Sequence, residues 1–328
     1  MDQKTLYTRA LSADFLYWLN ENKLLKTFKS NPLLNIGMRG NKIIIYYRGA
    51  KILTITDRII SNPKKQLIQL DSKYIGTESI CPPTLDNIQE YLNEAICAVN
   101  NSGKVVAEQE IRQTIAYANN LSANANDTDY FIVDQEYSAP SSSGKNCKFD
   151  VVALRWPSKK EARRSPNIKD FEIVIFELKH GINAVGSSSK AQNGKAADLK
   201  SHMEDFKSFV SNDSICHQFK HDILSMFRQQ CILEDGFFCS GKMHKYEKIK
   251  GLKHIPAFIE SLTDSQIERI PVKFGFIISD YKLASTVLTE QLSMFDDDFL
   301  FATSSFMGYG LYDAFIINRN QLNNILSK

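Results

Sequence analysis

Asp150, within the apolar run F-D-V-V-A-L, and Glu177-Leu178-Lys179, at the end of the run E-I-V-I-F-E-L-K, are the residues best placed to do chemistry. Successive side chains on a strand alternate faces, so Glu177 and Lys179 project together while Leu178 projects oppositely. An unpaired buried carboxylate or ammonium is costly, so each of these groups is expected to meet a metal ion, a water or one another. If the two strands are neighbours, both carboxylates converge on one hard cation. Mg²⁺ fits such a set, because it takes oxygen ligands and keeps several of its waters; Mn²⁺ is a possible substitute. A cation there would lower the pKa of water and neutralise charge on a scissile phosphate. Lys179 would then either position or deprotonate the nucleophilic water, or stabilise the transition state as a cation. The alternative on the same residues is a salt bridge between strands.

The elements that must hold these groups can be read from periodicity. Residues 104–120 form a helical segment, 130–138, 147–155 and 171–179 read as strands, 195–210 as a helix and 272–279 as a strand. The pieces F-L-F-A-T and Y-D-A-F-I-I-N extend the sheet, and residues 212–271 read as a helical insertion. The first hundred residues form a separate α+β unit. It has helical periodicity from Leu6 to Lys29, strands near 33–38, 42–48 and 51–56 in an antiparallel meander, a fourth strand at 66–71, and a helix beginning near Thr84. Domains of 1–100 and 101–328 follow, the first an accessory domain. Within it, Tyr46, Tyr47 and Arg48 read either as a base-contacting group or as edge residues of a packed sheet.

Asp150 with Glu177-Leu178-Lys179 resembles the PD-(D/E)XK nuclease superfamily, which includes restriction endonucleases, Holliday-junction resolvases and recombination exonucleases. The resemblance covers roughly residues 102–215 and the strand near 272–279, in the superfamily order of helix, three strands, helix, strand. Phe149 stands where the motif's name has proline. The resemblance implies a restriction-endonuclease-like mixed α/β sheet flanked by helices. It also implies a metal-dependent nuclease in which the Leu178 carbonyl joins Asp150 and Glu177 at the metal, with DNA a likelier substrate than RNA and a role in prokaryotic antiviral defence or restriction. Members often carry a further acid on the first core helix. Glu110, at the edge of a stripe anchored by Val106, Ile111, Ile115 and Ala118, is preferred over Glu108, which faces solvent; Glu136 on the first strand is a further candidate. The alternatives are a catalytically inactive nucleic-acid-binding or assembly protein of the same fold, or another metal-dependent hydrolase.

Net charge is only +3, but residues 141–200 hold 12 Lys+Arg against 6 Asp+Glu. Lys159, Lys160, Arg163 and Arg164 lie between the two motif strands, in a connection marked as a loop by Pro157 and Pro166. Lys190 and Lys195 follow in a Gly/Ser-rich stretch that lacks the order of a nucleotide-binding P-loop. These six are the expected phosphate contacts. His180 reads as structural and His202 as a surface residue. Cys216, His217, His221, Cys231, Cys239 and His244 contain no Cys-x-x-Cys pair, so they read as reduced thiols and isolated histidines and not as a zinc site. No apolar stretch reaches membrane-spanning length and the first residues lack signal-peptide organisation, so a cytoplasmic protein is expected, with a homodimer or partner contact through residues 1–100.

Overall fold

A computed structural model describes residues 9–326, apart from 30, 32, 63–66, 76–79, 123, 141–145, 182–198, 233–253, 280–294, 296, 297 and 304–307. It is a mixed α/β protein with a three-stranded antiparallel sheet and a six-stranded mixed sheet.

The N-terminal block begins with α1 (Ala13–Glu21), capped by Ser12, whose hydroxyl accepts the Phe15 N–H at 3.2 Å. The long helix expected up to Lys29 breaks at Lys23, whose φ of 56° is left-handed, and resumes as α2 (Leu24–Lys29). The meander follows as β1 (Leu34–Met38), β2 (Lys42–Tyr47) and β3 (Ala50–Thr56). Arg48 and Gly49 join β2 to β3 with φ of 48° and 76°, the two-residue turn whose twist matches paired strands. Gly49 has no alternative: a Cβ there would stand 2.4 Å from the Gln109 Cβ. Tyr46 and Tyr47 are buried, as a packed sheet requires.

The fourth strand expected at 66–71 shrinks to a single bridge between Thr54 and Ile68. Tyr91 is the cause: its hydroxyl donates to the Ile52 carbonyl and accepts the Leu70 N–H, both at 2.6 Å, and so stands where the ladder would have continued. Tyr91 belongs to α4 (Ile88–Asn101), which follows the short α3 (Ser72–Ile75) and buries Ile88, Tyr91, Leu92, Ala95 and Val99.

The larger sheet begins after α5 (Ala107–Asn120) with β4 (Tyr130–Pro140), β5 (Asn146–Arg155) and β6 (Glu172–His180). A short α6 (Lys160–Arg164) occupies the connection that the two prolines had marked as a loop. After β6 come α7 (Leu199–Val210), α8 (Asp213–Ile232), α9 (His254–Glu260) and α10 (Asp264–Glu268). The chain then adds β7 (Val272–Ser279), β8 (Leu300–Thr303), β9 (Ile316–Asn318) and α11 (Arg319–Leu326). Strand order is β4-β5-β6-β7-β8-β9, with β6, β7 and β8 parallel and the other pairs antiparallel.

The apolar run of β6 is explained by burial on both faces. Ile173 and Ile175 join the core formed with α7 and α8, through residues such as Phe209, Phe219 and Phe227. Val174, Phe176 and Leu178 join a second core with Ile111, Ile115 and Ala116 of α5. The first core continues through Phe15, Ile45 and Val99, so apolar packing runs unbroken from the N-terminal block into the larger sheet. Arg9 and Arg39 reinforce the join by donating to the buried carboxylate of Asp134 on β4.

Candidate active site

Two neighbouring strands, β5 and β6, part company at one level of the larger sheet. Pairing of β5 with β6 ends at Val151 and Phe176, whereas β6 stays paired with β7 as far as His180 and Ser279. Asp150 and Glu177 each lie one residue past that last pair, at the mouth of the fork. On the other side, the β4 position across from Asp150 is Glu136, between the paired Gln135 and Tyr137. Glu136 has a φ of 52°, a left-handed conformation that costs a non-glycine residue energy and commonly marks functional sites. Glu136, Asp150 and Glu177 therefore form a row of carboxylates across three strands.

Each acid is held. Asp150 accepts the Leu178 backbone N–H at 3.0 Å on one oxygen and the Arg112 guanidinium at 2.7 Å on the other. Arg112, reaching from α5, also donates to Glu136 at 2.8 Å. Glu177 is only 5% exposed; its carboxylate accepts from the Lys179 ammonium at 2.8 Å, and the His202 imidazole of α7 stands 3.2 Å from both groups. Burial and the negative field of Asp150 push the Glu177 carboxyl up to about 8, against the pull of Lys179, and Glu108 adds to the rise. Glu108 is pushed upward as well, by burial and then by Asp150. The cluster is crowded with negative charge.

The helical acid that belongs to this cluster is thus Glu108, and Glu110 is turned away. Glu108 and Arg112 are one turn apart and share a face. Glu110 points to the N-terminal sheet, where it takes two hydrogen bonds from Arg48 at 2.7 and 3.1 Å. The stripe had been anchored on Val106, which is 47% exposed and only precedes the helix. Arg112 was not anticipated, although its spacing from Glu108 was a usable signal. His202, read as a surface residue, lies inside the site, and His180 reaches the Ser279 hydroxyl at 3.2 Å.

The basic connection does not adjoin the carboxylates. Arg155 pairs with Glu172, so residues 156–171 link the opposite ends of β5 and β6, about 17 Å along the strand from Asp150. Lys159, Lys160 and Arg164 are exposed there. Arg163 is not a phosphate contact: it is 1% exposed, stacked over Trp156 at 3.8 Å, and donates to the carbonyls of Pro157, Trp156 and Thr128. Lys190 and Lys195 lie outside the described residues, as do Cys239 and His244. On the site's own side, Lys148 of β5 and Lys200 of α7 are exposed. His217 and His221 of α8 face Glu268 at 3.3 Å and Asp264 at 3.6 Å.

Among the described residues, no three His, Cys, Asp or Glu side chains close on a common point as a metal cage. A hard divalent cation nonetheless suits the donor chemistry of the fork, where Glu136, Asp150 and Glu177 stand side by side across three strands. Backbone N–H and C=O of one strand residue face the same neighbour, so the Leu178 carbonyl opens on the fork beside the N–H that Asp150 takes. Asp150, Glu177 and that carbonyl would hold the ion, with water completing its shell.

Compared with protein-family models, curated proteins and solved structures, the chain matches none of them. Among the described residues, no helix is long and apolar enough to cross a membrane.

Proposed function

We propose that this chain is a divalent-cation-dependent nuclease acting on DNA, with a restriction-endonuclease-like core. The observation that carries the reading is the meeting of Asp150, Glu177 and Lys179 at the β5–β6 fork, with Glu136, Glu108, Arg112 and His202 around them. The order α5, β4, β5, β6, α7, β7 is the helix, three strands, helix, strand sequence of the PD-(D/E)XK core, and it supports the same reading.

Bound Mg²⁺ or Mn²⁺ would supply Lewis-acid stabilisation of charge on the phosphate. The chain's own groups do the rest. Arg112 fixes the Asp150 carboxylate through one oxygen while the Leu178 N–H fixes the other, so the acid is pre-oriented. Lys179 is held between Glu177 and His202, where its ammonium can stabilise developing negative charge or hand a proton to and from water. Lys148 and Lys200, exposed on this side, are the phosphate contacts the geometry favours over residues 159–164.

Cleavage assays on supercoiled, linear and single-stranded DNA with Mg²⁺, Mn²⁺ or EDTA test the assignment. Lys179→Ala is expected to lose cleavage and keep DNA binding; Asp150→Ala and Glu177→Ala are expected to lose divalent-ion binding as well. Cleavage unchanged in all three variants would overturn it.

A further inference from the structure

On the face of α5 turned away from the carboxylates, a half-open cavity of about 460 Å³ lies between the helix and the N-terminal sheet. That volume suits one small organic ligand. Its lining contains two charged residues, Arg48 and Glu110, and these are bonded to each other. An anion or a cation would have to break that pair, so the cavity selects for a neutral molecule.

The polar groups narrow the class further. Gln113 is engaged at both ends of its carboxamide, accepting the Gly49 N–H at 2.8 Å and donating to the Leu33 carbonyl. Asn120 is engaged with both backbone groups of Ile132 at 2.9 and 2.8 Å. Asn35 is different: it lies half-buried on the lining, and its carboxamide has no hydrogen-bond partner among the described residues. Tyr117 of α5 also lines the cavity, as does Leu33, which is 56% exposed. A flat face to stack on and a free carboxamide carrying donor and acceptor are the two elements that recognise a purine, where Asn pairs with the N6/N7 edge of adenine. The rim is preformed, since the Arg48–Gly49 turn is locked against α5 at Gln109 and Gln113.

We propose that this cavity binds a neutral purine base, stacked on Tyr117 and read along its edge by Asn35. Its source is either an unstacked base of a nucleic acid or a free nucleoside. The proposal does not rest on the nuclease reading, and binding can be measured in EDTA on a Glu177→Gln background where no cleavage intervenes.

Adenosine, uridine, decanoate and short single-stranded oligo(dA) are titrated into the full chain by calorimetry, with backbone amide shifts locating the contact. Adenosine is expected to bind with a Kd in the range of roughly 10 μM to 1 mM and to shift residues of β1 and α5 around the cavity. Thr114→Trp, which fills the space from α5, and Asn35→Leu, which keeps the volume and removes the amide, are each expected to weaken it about tenfold or more. Competition by oligo(dA) identifies the source as nucleic acid, and its failure to compete identifies a free nucleoside. Failure of adenosine to bind, binding no tighter than uridine or decanoate, or wild-type affinity in a folded Asn35→Leu variant would overturn the proposal.

Discussion

Both ends of the β5–β6 pair carry charged side chains and use them in opposite ways. At the Arg155 end, cation and anion are matched one to one: Arg155 with Asp313 at 2.9 and 2.5 Å, and Lys273 with Glu172 at 2.9 Å. Arg163, beside them, spends its guanidinium on backbone carbonyls and an indole face. These groups close the connection between strands, while Lys159, Lys160 and Arg164 stay exposed on its surface. At the Asp150 end, Glu108, Glu136, Asp150 and Glu177 share the two cations Arg112 and Lys179, and His202 lies among them. Charge matching separates scaffold from chemistry here, and local abundance of lysine and arginine does not.

The comparison can be broken most forcefully at Lys179. Lys179→Ala should reduce cleavage about 10²- to 10³-fold in single-turnover assays, as for loss of one preorganised electrostatic donor, with little change in melting temperature. Arg163→Ala should do the reverse. Stranding carbonyls and losing the indole contact should cost about 3 kcal/mol of unfolding free energy in urea melts, with activity per folded molecule retained, whereas Arg164→Ala should stay within about 0.5 kcal/mol of wild type.

A third measurement follows from the Glu177 carboxyl. Its folded-state pKa of about 8 lies above its ordinary value of 4.5, so between those pH values the folded chain keeps a proton that the unfolded chain has released. In EDTA, this group's stabilising contribution is therefore whole below pH 4.5 and declines as pH rises, until it levels off above pH 8. Glu177→Gln should flatten that decline between acidic and alkaline melts; an equally steep profile in the variant would show that it arises from another group. The smallest contrast is between two acids on one helix. Glu108→Gln should slow cleavage about tenfold, as for an outer partner of a metal site, and Glu110→Gln less than about twofold.

Strand periodicity made the sheet legible, because a run buried on both faces and a two-residue alternation leave few arrangements for Asp150, Glu177 and Lys179. Helix rotation was less constrained. One stripe residue misplaced at Val106 turns α5 enough to exchange Glu110 for Glu108, and the Arg48 partner that settles the matter lies 62 residues away in sequence. Residues 156–171 were misread for another reason: neighbours in sequence to both motif strands, they are separated from the motif by half a strand length. His202 and Arg112 depend on contacts 25 and 38 residues distant, to Glu177 and Asp150, which local spacing does not encode.

The fork has one more consequence, for how the site can be watched. Where β5 and β6 separate, the Leu178 N–H is bonded to a side chain, the Asp150 carboxylate, in place of a strand partner. Its solvent exchange is thus governed by that carboxylate's orientation. A ligand that draws Asp150 aside should speed deuterium uptake at this single amide while its neighbours in the β6–β7 ladder stay slow. The backbone carries its own isotopic gauge of occupancy, with no turnover to wait for.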